Sequence, residues 1–422
     1  MTTHPRTTYA ERREAFYAPL RSTFWPEMHG HENALFTTFP VPQEEVTQIR
    51  ETAKMVYSIY EKAAKLLRNA PDDTLLRLDF PQNTLRYIRQ KTTESETIIG
   101  RFDFVKRQDG RYVMLEFNSD TPTFIKELFF VNELVCKEFG VNDPNLGQRT
   151  ILETAMKKAI RESFQHIGGT GSPYVVFSSH REEESREDYF TTKFLMSLVE
   201  DAFDCDFVPL CDLRVKRDGL YDLNGRKIDV WYRQTYPIEH LCRDKDKDGT
   251  PVGEWILDHV INKSLAVINP PSAFLLQSKA VQVAIWALHE HKVYFSEEEH
   301  EWIAQHFLPT YLEPDRFIET GTSYVKKPAF GREGDTVEIF LSNGRVIREA
   351  QRSYEQSMPV YQQYVDMPKA YVESLNGREM CHLLVGCHVV GGAPSAIGIR
   401  AGDEITGNLS YYLPVCIENE VG

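Results

Sequence analysis

Between residues 44 and 69 apolar side chains recur at three- and four-residue steps: Val46, Ile49, Ala53, Val56, Ile59, Ala63 and Leu66. That spacing predicts an amphipathic helix with one buried stripe. Near residue 101 the period drops to two. The stretch RFDFVKRQDGRYVMLEFN (101–118) reads as two strands joined at Asp109-Gly110, a dipeptide that favours a tight hairpin turn. A two-residue turn there sets Asp103 opposite Glu116 and Arg101 opposite Asn118. Alternation then puts all four on one face and leaves Val113, Leu115 and Phe117 on the other for burial. Two carboxylates placed directly opposite each other repel. A hard cation between them removes that cost, and Asp, Glu and Asn oxygens are ligands Mg²⁺ accepts. A polar, solvated hairpin face without an ion fits the same pattern.

The turn-like Ser119-Asp120-Thr121-Pro122-Thr123 precedes a helical pattern in FIKELFFVNELVCKEF (124–139), and residues 150–165 give another. Gly168-Gly169-Thr170-Gly171 marks a break. Tyr174–Phe177 is a short apolar strand, residues 188–203 a helix, and Phe207-Val208-Pro209-Leu210 the start of a second strand. That order suggests a parallel α/β unit, to which Lys227–Arg233 adds a further strand. From about residue 320 short strands alternate with Gly-containing turns: TSYVKK, TVEIFL, VYQQYV, MCHLLVGCHVV and SAIGIR. Residues 1–24 are polar and read as a loosely attached N-terminal arm.

Composition narrows the classes. A chain of 422 residues with 41% hydrophobic and 12% aromatic content can build a substantial core. The formal charge of −14 argues against nucleic acid as a partner, since phosphate-backbone binding needs clustered Lys and Arg. No apolar run approaches the roughly 20 residues of a membrane span. The first residues lack the apolar core of a secretory signal. Seven cysteines without a Cys-x-x-Cys pair fit a reducing cytoplasm.

Several motifs imitate chemistry. Asp244-Lys245-Asp246-Lys247-Asp248-Gly249 resembles the start of a calcium loop, but its twelfth position is Trp255 where a bidentate Glu is needed. Cys381-His382 and Cys387-His388 have no common zinc spacing and read as core cysteines with edge histidines. His289, His291 and His300 read as a solvated helical face. Gly331-Arg332-Glu333-Gly334-Asp335 joins two strands and is flanked by Lys326 and Lys327. Such a glycine-bearing loop can fold over phosphates with backbone N–H groups and cations, although most are plain hairpins. Arg400 adds a late cation. Lys279 stands near the start of an apolar helix, where a surface lysine is the simplest reading.

Together RFDFV, LEFNSDTPT, YRQTYPIE, INPPSAFLLQSKA, VKKPAFGREGDTV, VYQQYVDMP and GIRAGDEIT, in this order, resemble the synthetase domain of the glutathionylspermidine synthase family, ATP-grasp amide ligases. The likeness runs from about residue 25 to 418. It implies an α/β (α+β) ATP-grasp fold over 25–422, with a preATP-grasp-like α/β region at about 165–270 and ATP- and Mg-binding parts at about 95–130 and 271–422. It implies ATP and Mg²⁺ as cofactors. Asp103, Glu116 and Asn118 match the metal positions, and Lys279 and Lys327 the phosphate-holding lysines. Arg101, Arg332 and Arg400 match the arginines around the reacting phosphate. Gly331 and Gly334 lie in the loop that closes over the nucleotide, and Gln362 and Tyr364 on the strand passing the adenine. Ser119, Thr121 and Thr123 fall where the family meets its peptide carboxylate, and Arg233 and Glu239 in a segment lining that pocket. The Gln-Glu-Tyr of many relatives is Gln362-Gln363-Tyr364 here, and SDTPT is closer to stand-alone members. The amidase domain of bifunctional members has no counterpart in this sequence, so no amidase activity is expected.

The implied reaction is ADP-forming amide synthesis, in which a peptide-like carboxylate becomes an acyl phosphate and an amine, of the polyamine kind, displaces phosphate. Two other readings stay open: a kinase-like phosphotransferase, which would give no hydroxamate with hydroxylamine, and a catalytically inactive nucleotide-binding protein. Oligomeric state is not legible.

Overall fold

The computed structural model describes residues 7–418. The first long helix spans Gln43–Arg68. Glu44 and Glu45 lie in its first turn and Lys65 and Arg68 in its last, matching the helix dipole. Its buried stripe ends on Leu67, while Leu66 faces solvent, because the inward face has drifted one position by the last turn. The stripe packs on one face of the 101–118 hairpin, where Phe102 stacks on Phe117 with ring centroids 4.0 Å apart.

The hairpin strands are Ile99–Lys106 and Tyr112–Asn118. Asp103 faces Glu116 and Arg101 faces Asn118, as the alternation implied. The route to that register differs from the two-residue turn. The Arg107 N–H bonds the Arg111 carbonyl at 2.8 Å, so the turn holds three residues, Gln108 to Gly110, with Gly110 at φ 83°. A bulge then leaves Leu115 without a partner and restores the pairing beyond it. The bulge also corrects the expected faces. Phe117 does lie opposite the polar four, but Val113 and Leu115 share their side, joining Val105, Leu308 and Leu384 in a small apolar patch.

The hairpin is the edge of a six-stranded antiparallel sheet that continues through Gly377–Val390, Ala393–Gly402 and Tyr411–Leu413, with Lys369–Ser374 also on Gly377–Val390. A second antiparallel sheet orders Thr310–Tyr311, Pro359–Gln363, Tyr324–Pro328, Glu338–Phe340 and Val346–Arg348. The α/β unit is a four-stranded parallel sheet of Ala266–Ile268, Val230–Arg233, Tyr174–Ser178 and Asp204–Phe207. Its second strand stops at Phe207 where one starting there was expected, because Pro209 cannot donate to the ladder and opens a 3₁₀ turn at Leu210–Asp212.

Three surface readings change. Residues 7–24 are not loosely attached: Tyr9–Tyr17 is a helix whose buried Arg13 meets Glu27 at 2.6 Å and Glu32 at 2.7 Å. Residues 1–6 of the expected arm lie outside the described residues. His289 and His300 are buried against each other, Nδ1 to Nδ1 at 3.3 Å, because the helices Ala280–Glu290 and Glu297–His306 pack together; His291 stays exposed. His388 is no edge residue; it sits fully buried beside Phe129 on the strand next to Arg101.

Candidate active site

One cleft opens between the two antiparallel sheets. Its walls carry Arg101, Asp103, Glu116 and Asn118 from the hairpin, Lys279 from a helix start, and Lys327 from the smaller sheet. Gly331, Arg332 and Gly334 come from the following loop, Gln362 and Tyr364 from the neighbouring strand and its exit, and Arg400 from the large sheet. Thr121 and Thr123 complete the set. Arg101 and Arg400, 299 positions apart in the chain, meet here because Gly377–Val390 pairs with the hairpin on one side and with the Arg400 strand on the other.

The polar groups are already paired with one another. Arg101 grips Asp103 with two N–H groups, at 2.7 and 2.9 Å. The Asn118 amide nitrogen donates to Asp103 and to Glu116, both at 3.1 Å. Turning that amide over would aim its oxygen where its N–H₂ now points, which is the donor set a hard cation needs. Among the described residues no group of three or more His, Cys, Asp or Glu is placed to hold a metal. A metal here would have the Asp103 and Glu116 carboxylates and the Asn118 amide as its protein ligands.

Lys279 is a buried residue, not a surface lysine. Its ammonium lies 3.1 Å from Glu116 and donates to the Gly331 carbonyl at 2.7 Å. Lys327 donates to the Leu115 carbonyl at 2.9 Å and to the Gln362 side chain at 2.7 Å. Burial lowers Lys327 to a pKa of about 7, against the pull of Glu116. Burial pushes Glu116 up, but Lys279 and Lys327 outweigh it and hold its carboxyl far below the usual range. Burial likewise raises Asp103, opposed by Arg101. Arg400 is lowered by burial and by neighbouring Arg101, and its guanidinium donates to the Gly407 carbonyl at 2.8 Å. The buried Arg101 with the half-buried Arg400 near it forms a place for an anion.

The 331–335 loop is folded inward. Gly334 has φ 73°, and a Cβ there would lie 3.0 Å from the Thr406 carbonyl oxygen, so only glycine lets the loop approach the segment beyond Arg400. Arg332 reaches Glu239 at 3.4 Å. Tyr364 donates to Glu404, and Gln362 is buried on a bond from its amide to Gln282 at 2.6 Å.

A family model described as "Glutathionylspermidine synthase preATP-grasp" matches residues 24–418. The chain belongs to this family. A Haemophilus influenzae protein described as "Putative acid--amine ligase" is 25% identical over 327 residues, which is 75% of this chain and 74% of that protein. The solved apo structure of a glutathione synthetase-like effector, GSS30 of Globodera pallida, aligns over 90% of this chain and 89% of its own with TM-score 0.52 and 13% identity. At that identity the likeness is one of fold, and the fold is the α/β, ATP-grasp-related one of glutathione synthetase.

Not every residue singled out for this glutathionylspermidine synthase-family chain reaches the cleft. Ser119 is fully buried and its hydroxyl is spent on the Ala273 carbonyl at 2.7 Å. Arg233 is enclosed in an ion pair with Asp120, at 2.5 and 3.1 Å, with both side chains wholly buried. Glu239 touches the site through Arg332 rather than lining it. Thr121 does line the cleft, with a buried hydroxyl that has no partner among the described residues. Sequence reasoning missed Asn269 and Gln277. Asn269 accepts from the Ile98 and Ile99 N–H groups at 2.9 Å each and donates to the Asp120 carbonyl at 2.7 Å; Gln277 accepts from Ser119 and Asp120 at 2.9 and 3.0 Å. Asn269 staples the hairpin to the end of the parallel sheet and Gln277 staples its exit to the helix Pro271–Gln277, and their side chains inside the largely apolar INPPSAFLLQ were the available signal. Glu127 and Glu187 line the cleft as well and had not been singled out.

Proposed function

We propose that this protein is an ATP-dependent acid–amine ligase of the glutathionylspermidine synthase type, working through an acyl phosphate. The carrying observation is the convergence of Asp103, Glu116 and Asn118 with Lys279, Lys327, Arg101 and Arg400 on one cleft. Family membership and the description of the Haemophilus influenzae relative support the same reading. Mg²⁺, when bound by Asp103, Glu116 and Asn118, would supply charge neutralisation at the phosphate tail. Lys279 and Lys327 hold the phosphates, Gln362 and Tyr364 border the nucleotide, and the 331–335 loop covers it. Arg101 and Arg400 orient the terminal phosphoryl group against the substrate carboxylate, which Thr121 and Thr123 receive. Arg332 leaves Glu239 to meet the developing charge. Such positioning and electrostatics make up most of the catalysis in phosphoryl transfer. The acid is peptide-like and the amine of the polyamine kind.

The test is a panel of peptides, glutathione included, incubated with ATP, Mg²⁺ and hydroxylamine. A ligase passing through an acyl phosphate gives a hydroxamate and ADP with at least one acid. A kinase-like phosphotransferase gives ADP without hydroxamate, and nucleotide binding without ADP release points to an inactive protein; either result rejects the proposal.

A further inference from the structure

Glu127 stands out among the groups that the proposed reaction leaves without a task. It lines the cleft but is only 3% exposed, and its Oε2 is buried without a hydrogen-bond partner among the described residues. It opens a π-helical turn, Glu127–Val131, a local geometry often found at functional sites. Every cation near it is committed elsewhere. Arg101 holds Asp103, Arg400 donates to the Gly407 carbonyl, and the preceding Lys126 points away, its ammonium on the Thr23 carbonyl and over the Phe130, Phe190 and Phe194 rings. Glu187 lines the same cleft and faces it as a second carboxyl. The carboxylate of Asp188, next in sequence, accepts the Thr235 hydroxyl, while the Asp188 backbone N–H donates to the Ser185 hydroxyl oxygen.

We infer that Glu127 is the base that takes the proton from the amine nucleophile, whose ammonium docks between Glu127 and Glu187 beside Arg101 and Arg400. This rests on the ligase reading. An ammonium there supplies the missing donor to Glu127 and offsets the repulsion between the buried Glu127 carboxyl and the half-buried Glu187. Burial raises Glu127 to a pKa of about 7, opposed first by its own backbone N–H and then by Arg101, Arg400 and Lys126, and burial together with Glu127 pushes Glu187 well up. A carboxyl poised near neutrality is suited to proton transfer. The step balances. The ammonium passes one proton to the Glu127 carboxylate and becomes a neutral amine. Its lone pair forms the C–N bond to the acyl phosphate carbonyl carbon as the C–O bond to phosphate breaks. The second proton on nitrogen leaves with the phosphate as hydrogen phosphate, and Glu127 returns its proton to water.

Hydroxylamine tests this, because it is already uncharged at neutral pH and needs no base. Each acid of the panel is offered with hydroxylamine and, separately, with n-butylamine and spermidine. Glu127→Gln is expected to keep the hydroxamate rate within about twofold and to lose amide formation by at least about a hundredfold, the usual scale of general-base catalysis. Its deficit should shrink about tenfold per pH unit as the free amine becomes available below the alkylamine pKa. Equal loss of both products, or retention of both, overturns the inference. No hydroxamate from wild type with any acid brings down the ligase reading itself, and this inference with it. If the Gln variant misfolds, Glu127→Asp replaces it, with full hydroxamate rate and an intermediate amide rate expected. As a second readout, infrared difference spectra of wild type against the variant should show one carboxyl titrating between about pH 6 and 8; its absence also overturns the assignment.

Discussion

Lys327 holds its proton weakly in the fold and strongly outside it. An unfolded lysine stays charged to about pH 10.4, whereas burial brings Lys327 down to about 7. Between those values the unfolded chain binds more protons, so this residue makes stability rise with pH across that window and contributes no slope below it. A phosphate placed against Lys327 reverses the shift. ATP binding at about pH 8 is therefore expected to take up close to one proton at this residue, read by calorimetry in buffers of different ionisation enthalpy. Lys327→Met should abolish that uptake, and an unchanged value in the variant would remove Lys327 from the phosphate site. Glu116→Ala and Arg332→Ala bear on charge in another way. Each removes one preorganised contact, a loss of about 3 kcal/mol or roughly a hundredfold in turnover. Steady-state assays beside circular dichroism should find that loss in a folded protein; wild-type turnover in either variant would strip that residue of its role.

At the scale of elements, the hairpin bulge does two things. It turns the Leu115 side chain toward the cleft, and it offers the Leu115 carbonyl to Lys327 at 2.9 Å and to the Gln282 amide at 3.2 Å. Deleting Leu115 removes the residue without a ladder partner, so Phe104 still faces Met114 and Asp103 still faces Glu116. Asp103 and Glu116 keep their register while Lys327 loses an acceptor. A charge-assisted hydrogen bond contributes about 1.5–3 kcal/mol, so KM for ATP should rise by about tenfold or more while the Mg²⁺ dependence of turnover persists. A shortened hairpin that instead lost its response to Mg²⁺ would show that the bulge sets the register. The other end of the hairpin depends on Asn269. Asn269→Ala leaves the buried Ile98 and Ile99 N–H groups and the Asp120 carbonyl without partners. Each such group costs about 1–3 kcal/mol, and the thermal midpoint should fall by several degrees; a midpoint within a degree of wild type would deny Asn269 the stapling role.

Across the whole molecule, what the sequence discloses follows the range of the contacts. Asp103 opposite Glu116 was legible because both lie within one hairpin, although a three-residue turn and a bulge compensate to produce it. Ser119 and Thr121 were not separable, since one hydroxyl is spent on Ala273 and the other faces the cleft only because of how the 266–277 segment packs. Arg233 looks like any site arginine until its ion pair with Asp120 is seen. His289 and His300 read as solvated because nothing local shows that their two helices meet. The cleft itself is the extreme case: the large sheet supplies Asp103, Glu116 and Arg400, the smaller one Lys327 and Gln362, and a helix start Lys279. A ligand that touches all of these binds the native state alone, and stabilises it by RT ln(1 + [L]/Kd), about 2.7 kcal/mol at a hundredfold excess over Kd. ATP with Mg²⁺ should raise the thermal midpoint, and the rise should grow with the logarithm of nucleotide concentration. EDTA should remove most of that rise, because the phosphate tail then meets Asp103 and Glu116 without a cation between them. Asn118→Leu should resemble EDTA treatment in its response to Mg²⁺, with the midpoint of the free protein itself lowered because Asp103 and Glu116 lose the Asn118 N–H groups. Equal stabilisation with and without Mg²⁺ would separate the nucleotide from the hairpin and confine it to the lysine side of the cleft.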